Sequence, residues 1–259
     1  LVEGSRVGAL TVKANKTKAD GQNYNFEATS AAVSVSVSVS LVGIALAGGG
    51  GDAFNTALGN TNTALSNVNL TSSGPIAIDS ENTQTADAGV GVGALAAGST
   101  GAAAVGVVNA QNLLGVDSTD STAQRAQVKT SVTNSTLMAD QAIAINSASS
   151  ASYEVLALPV SVAVALTAAG AGAGAINNSR IAYDIDTAIS RSNIISSDDV
   201  TLNSNNNSHV TSSRTDAGAV SVSLNPQSSI AISVAGAENR NTIDNRISTT
   251  IDDGTNNAT

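Results

Sequence analysis

Val33-Ser34-Val35-Ser36-Val37-Ser38-Val39-Ser40 alternates a branched apolar side chain with a small hydroxyl for eight residues. A period of two is the pattern of a β-strand with one buried face, and β-branched valine favours the pleated backbone. The alternation returns in Val160-Ser161-Val162-Ala163-Val164 and in Val220-Ser221-Val222-Ser223-Leu224. Each copy lies in a long stretch of small residues, at 31–51, 155–176 and 217–237, and a fourth stretch of the same composition runs over 86–108.

Outside these stretches a short apolar motif recurs as Leu10-Thr11-Val12, Ile76-Ala77-Ile78, Ile143-Ala144-Ile145 and Val200-Thr201-Leu202, at intervals of 66, 67 and 57 residues. Leu65, Val132 and Ile189 each precede the next motif by 11 residues, and Leu70, Leu137 and Ile194 precede it by 6. A register kept at three landmarks while the total length varies is the signature of a stacked repeat. The chain therefore divides into four imperfect units, about 8–74, 75–141, 142–199 and 200–259, forming a single domain over 1–259.

The expected fold is all-β, a parallel β-helix or β-solenoid. Dividing a unit of 57–67 residues into the roughly 20-residue coils common among solenoids predicts about three coils per unit. Some 12 coils at about 4.8 Å would give a rod on the order of 55–60 Å. Inward positions are assigned to Ala, Val, Ile and Gly, and outward ladders to Ser, Thr and Asn. Corners fall at Gly48-Gly49-Gly50-Gly51-Asp52, Asn177-Asn178 and 203–207, because Gly and Asn tolerate positive φ. The extra segment 111–122 marks a protruding loop.

Composition agrees with a thin core. Aromatic residues are 2% of the 259 and there is no Trp or Cys, so large rings and disulfides play no part. Charged residues are only 12%, and the net charge is −9 with 11 Lys plus Arg, which argues against nucleic acid or an anionic membrane as partner. The uncharged segment 155–176 is long enough to span a bilayer, but it contains Pro159, and its sister at 217–237 is broken by Asn225-Pro226-Gln227. It is read as buried strands, not as a membrane span. The sequence begins Leu1-Val2-Glu3-Gly4-Ser5-Arg6, with neither a Met nor an apolar leader, and is expected to be an internal or processed piece.

No catalytic, cofactor or metal residues are assigned. His209, the single imidazole, is expected on an exposed corner rather than in a Ser-His-Asp arrangement. Asp117/Asp120, Asp184/Asp186, Asp198-Asp199 and Asp252-Asp253 are acid pairs of the kind that can bind calcium, but they are read as solvated turn residues. Gly89-Val90-Gly91-Val92-Gly93 lacks the Lys-Ser/Thr of a phosphate loop and is read as strand. Asn-x-Ser/Thr acceptors at Asn15, Asn69, Asn134, Asn177, Asn206 and Asn257 matter only in a glycosylating cell.

The recurring unit is a strand such as Val200-Thr201-Leu202-Asn203-Ser204, a small-residue strand pair such as 217–237, and a closing strand such as 189–194. It resembles the β-strand-repeat segments of very large secreted bacterial proteins, the leukotoxin-type and haemagglutinin-type filamentous adhesins. The resemblance covers nearly the whole chain. It implies an extracellular or cell-surface, non-enzymatic building block of a fibre, sheath or adhesin stalk, partnered by itself end to end or laterally, or by its continuation in a longer chain. The alternative is a surface-binding module for glycan or a host ligand, against which the few aromatics, Tyr24, Tyr153, Tyr183, Phe26 and Phe54, count. A β-helical lyase or hydrolase would need converging acids and bases that so few Lys, Arg and His do not supply.

Overall fold

The computed structural model describes residues 6–16, 24–38, 43–120 and 122–253. Every regular element among them is a β-strand, and all strand ladders are parallel. The strands fall into four rungs. The first holds β1 (Arg6–Val7), β2 (Leu10–Lys16), β3 (Tyr24–Ser38), β4 (Ile44–Ala57) and β5 (Thr61–Ser66). The second holds β6 (Asn69–Ser72), β7 (Ile76–Gly98), β8 (Gly101–Leu114) and β9 (Ala126–Thr133). The third repeats this as β10 (Thr136–Ala139), β11 (Ile143–Ala165), β12 (Ala168–Ile181) and β13 (Tyr183–Ser190). In the fourth, β14 (Asn193–Ser196) is followed by β15 (Val200–Asn206), β16 (His209–Thr215) and β17 (Gly218–Ser223), and then by β18 (Ile230–Ile243) and β19 (Arg246–Asp252).

Corresponding strands of successive rungs pair. Sheet A is β1-β6-β10-β14. Sheet B joins β2 and β3 to β7, β7 to β11, and β11 to β15, β16 and β17. Sheet C is β4-β8-β12-β18, and sheet D is β5-β9-β13-β19. The chain visits A, B, C and D in the same order four times. Ile76 faces Ile143, and Ile143 faces Val200, so the sequence motifs lie side by side in one sheet.

This pairing corrects the expected coil count. Hydrogen-bonded partners lie a whole unit apart, as at Asn146–Asp79 with 67 intervening positions and Ser135–Ser192 with 57, not about 20 apart. The estimate of three coils fails because it assumes short strands, whereas β7 and β11 each run 23 residues, about 75 Å at strand rise. Four rungs then stack to only about 20 Å, in place of the expected 55–60 Å.

Sheets B and C pack face to face as a blade that narrows towards its turn. At the wide end Leu65, Leu70, Ile76, Ile78, Val132, Leu137, Ile143, Ile145 and Ile189 form an aliphatic cluster between sheets A, B and D. In mid-rung Val90, Val92, Val108, Tyr153, Val155 and Tyr183 fill the space between sheets. Towards the turn the interior is alanine alone: Ala45, Ala47, Ala94, Ala96, Ala102, Ala104, Ala163, Ala165, Ala169 and Ala171.

That taper reverses the expected faces of the alternating segments. Inward positions of the blade belong to Ala and Ser, and the valines point out. Ser161 and Ala163 are fully buried, whereas Val33 is 82% exposed and Val160 and Val220 are each 51% exposed. The cause is steric. At Gly49 an added Cβ would sit 2.8 Å from the Val92 side chain, and at Gly51 2.8 Å from Val90. Two sheets this close leave room for side chains no larger than alanine, so the bulky member of each alternating pair is driven outward.

The wide end is laced by a device that repeats once per rung. Thr63, Thr130 and Thr187 on sheet D donate to the carbonyls of Asp79, Asn146 and Asn203 on sheet B, each 16 residues later, at 2.6–2.8 Å. In return Ser80, Ser147 and Ser204 on sheet B donate to the carbonyls of Lys129, Asp186 and Ser248 on sheet D, at 2.6–2.7 Å. Hydroxyls that the sequence assigned to outward ladders are here internal ties between sheets. No helix among the described residues is long and apolar enough to cross a membrane.

Candidate assembly surfaces

The acid pairs named from sequence are scattered. Asp186 pairs with Lys129 at 3.3 Å, and Asp184 approaches Arg125 at 3.9 Å. Asp198 and Asp199 lie in the turn before β15, where the Asp199 carbonyl accepts from Ile143. Asp252 closes β19 and Asp253 follows it. His209 opens β16, is exposed, and stands beside Ser152 of the neighbouring rung. Among the described residues no three His, Asp or Glu side chains converge as a metal-ligand set. Asn15 and Asn257 lie where no side chain is described, and the other acceptor asparagines include Asn177, which is fully buried.

The extra segment is real but shifted. β8 continues through Leu114, and the inserted residues lie between Leu114 and Ala126 rather than over 111–122. Leu113 and Leu114 stay in the strand because both are buried at the corner. The insertion leaves the rung at Gly115, whose φ is +73°, and returns through a bridge between Val116 and Arg125. It then acts as a clasp over two further rungs. Arg125 donates to the carbonyl and the carboxylate of Asp244 in rung four, and Arg180 of rung three donates to the same carboxylate at 2.9 Å and to the Asp120 carbonyl.

Both guanidiniums are buried, at 6% and 4% side-chain exposure, and Asp244 is their shared partner. Partial burial alone would raise the Asp244 carboxyl, but the two arginines outweigh it and hold its pKa below the usual carboxylate range. A depressed acid contributes stability that is complete above the unfolded value near 4 and is lost as pH falls through the folded value. Asp244→Ala should therefore cost about 2 kcal/mol at pH 7. That is less than a fully buried pair would lose, because Asp244 is half exposed, but two buried cations are left unpaired. Urea unfolding at pH 7 and at pH 3 checks this, with the gap between variant and parent closing at the lower pH.

A further alignment escaped the sequence analysis. Glu27, Asp87 and Glu154 stand in one register across rungs one to three, on the outer face of sheet B. With Thr29, Gly89, Leu156 and Arg214 they line a shallow groove of about 280 Å³. Their separations are those of the ladders, so the repeat offset was the signal that would have found them.

Two kinds of surface remain. The strands of rung one and of rung four have a neighbour on one side only among the described residues, in all four sheets. On rung four Leu202, Ile194, Val210 and Ala217 are only partly covered by the cores they join. The flat outer faces of the blade carry the displaced large apolar side chains. No protein-family model, curated protein or solved structure matches the chain.

Proposed function

We propose that the chain is a β-solenoid winding once per 57–67 residue repeat, and that it serves as a structural building block of an extracellular bacterial fibre, sheath or adhesin stalk. The observation that carries this reading is the pair of open parallel edges. Each terminal rung offers unpaired strand backbone in four sheets at once, with its interior files uncapped. An uncapped stack of identical rungs accepts another rung, whether from continuing chain or from a second copy. The resemblance to adhesin repeats points to the same role and supplies the extracellular setting.

A second reading has one observation in its favour. Phe54 is exposed on sheet C, in register with Gln111 and Asn178 and two residues from the Asp52–Asn109 pair. An aromatic face beside amides and a carboxylate is the chemistry that holds a sugar ring. Tyr153 and Tyr183 are not available for this, being buried and donating to Asn241 and Gln84. Burial also pushes both phenols up, so they stay protonated as donors.

Electron microscopy of the purified chain separates the readings. Filaments with an axial repeat near 20 Å, the height of four rungs, are the expected result. Single particles that never lengthen, but lose glycan binding on Phe54→Ala, would replace the structural role with the binding one.

A further inference from the structure

The blade's outer faces are uncharged over their whole depth. Residues 31–51, 88–116, 155–179 and 217–237 contain no Asp, Glu, Lys or Arg. On sheet B one cross-rung row reads Val33, Gly93, Val160, Gly218. On sheet C one row reads Gly48, Val105, Gly172, Val234. Gly49 abuts Val92 and the Gly93 carbonyl, which sets these two rows at the same depth on opposite sides of the blade.

Rung by rung the rows are complementary. Sheet B presents large, small, large, small where sheet C presents small, large, small, large. The adjacent row continues this in rungs two and three, with Gly91 and Leu158 on B set against Val107 and Gly174 on C. The two faces lie on opposite sides of one blade, separated by its interior, so they never touch within a molecule. Folding therefore does not require the match, but docking of one blade on another does.

We propose that a second copy of this chain docks laterally, with sheet B of one blade on sheet C of the next and rungs level, so that each valine enters the gap over the glycine opposite. The contact is head-to-tail and repeats without closing, which yields a lateral array. This deepens the structural role proposed above and rests on it only for its purpose. Ten residues by four rungs gives roughly 600 Å² per face, somewhat short of the about 800 Å² per partner of a standard stable interface. Association of four rungs is thus weak and strengthens with every rung added. At the base of the blade Glu27, Asp87 and Glu154 on B approach Asp52 and Glu238 of the next copy. This repulsion is screened by salt, so lateral association rises with ionic strength.

The test is sedimentation velocity over a concentration series for the parent, Val160→Gly, Gly172→Val and the double variant, with circular dichroism to confirm the fold. An added Cβ at Gly172 meets only Val105 at 3.9 Å, so the blade accommodates the substitution. Each single variant is expected to weaken association roughly tenfold, one by leaving a void and the other by setting valine on valine. The double variant restores it by exchanging knob and hole. If Gly172→Val strengthens association or leaves it unchanged, the faces are merely sticky and the proposal fails. It fails equally if the parent floats with phosphatidylcholine vesicles instead of associating with itself. Micrographs keep the two readings apart, since fibre width reports lateral docking and length reports end-to-end stacking.

Discussion

Gly115→Ala is expected to destabilise the chain by about 3 kcal/mol, the largest effect of any single methyl added to it. Gly115 sits at φ +73°, where an L side chain costs roughly 1–2 kcal/mol. Its Cβ would also lie 2.5 Å from the Ala182 carbonyl and 2.7 Å from the Tyr183 ring. Neither neighbour can retreat, because Ala182 and Tyr183 are fully buried and Tyr183 OH is held by Gln84 at 2.6 Å. The aligned position in rung one is Leu58 and in rung three Ala182, so only the rung that launches the clasp needs glycine. Thermal unfolding followed by circular dichroism reads the effect. A change under about 1 kcal/mol would mean that the insertion does not leave the rung in this conformation.

Ala104→Leu and Val33→Ser form the second expected result, and they should move stability in ways opposite to the usual hydrophobic intuition. Ala104 is fully buried at the alanine end of the blade, where leucine has no void to enter, and overpacking should cost about 3 kcal/mol. Val33 is 82% exposed, and its replacement by serine should change monomer stability by less than about 0.5 kcal/mol. Chemical denaturation of both variants checks the pair. Tolerance of the leucine together with loss of stability for the serine would restore the face assignment first read from the alternation.

That assignment shows where sequence reasoning reached and where it stopped. Period-two alternation and the register of Ile76, Ile143 and Val200 were enough for strands, for parallel repeats and for their boundaries. The facing side was not legible. Val-Ser-Val-Ser has the same period whichever residue points inward, and the choice depends on the distance between two sheets, which no local pattern encodes. Coil length was misjudged for a related reason: β7 bends through its rung without a Gly or Pro to mark a corner, so 23 residues of strand were divided in thought where the chain does not divide them. The clasp was half legible. The 57-against-67 irregularity located an insertion, but the pairing of Arg125 and Arg180 with Asp244 joins residues 119 and 64 positions apart in different rungs, and nothing local announces it. The Glu27–Asp87–Glu154 row was missed although its spacing was already known, because acids were sought as neighbours along the chain.

One turn per repeat sets an exchange rate between synthesis and extension. Each rung consumes about 60 residues and advances the stack by about 4.8 Å, whereas a 20-residue coil would advance three times as far for the same polypeptide. A cell enlarging this protein gains little reach and a great deal of flank, since every added unit contributes another 75 Å-wide strip of sheet. Such an object is proportioned as a ribbon or a tile, and covering a surface suits it better than bridging a gap.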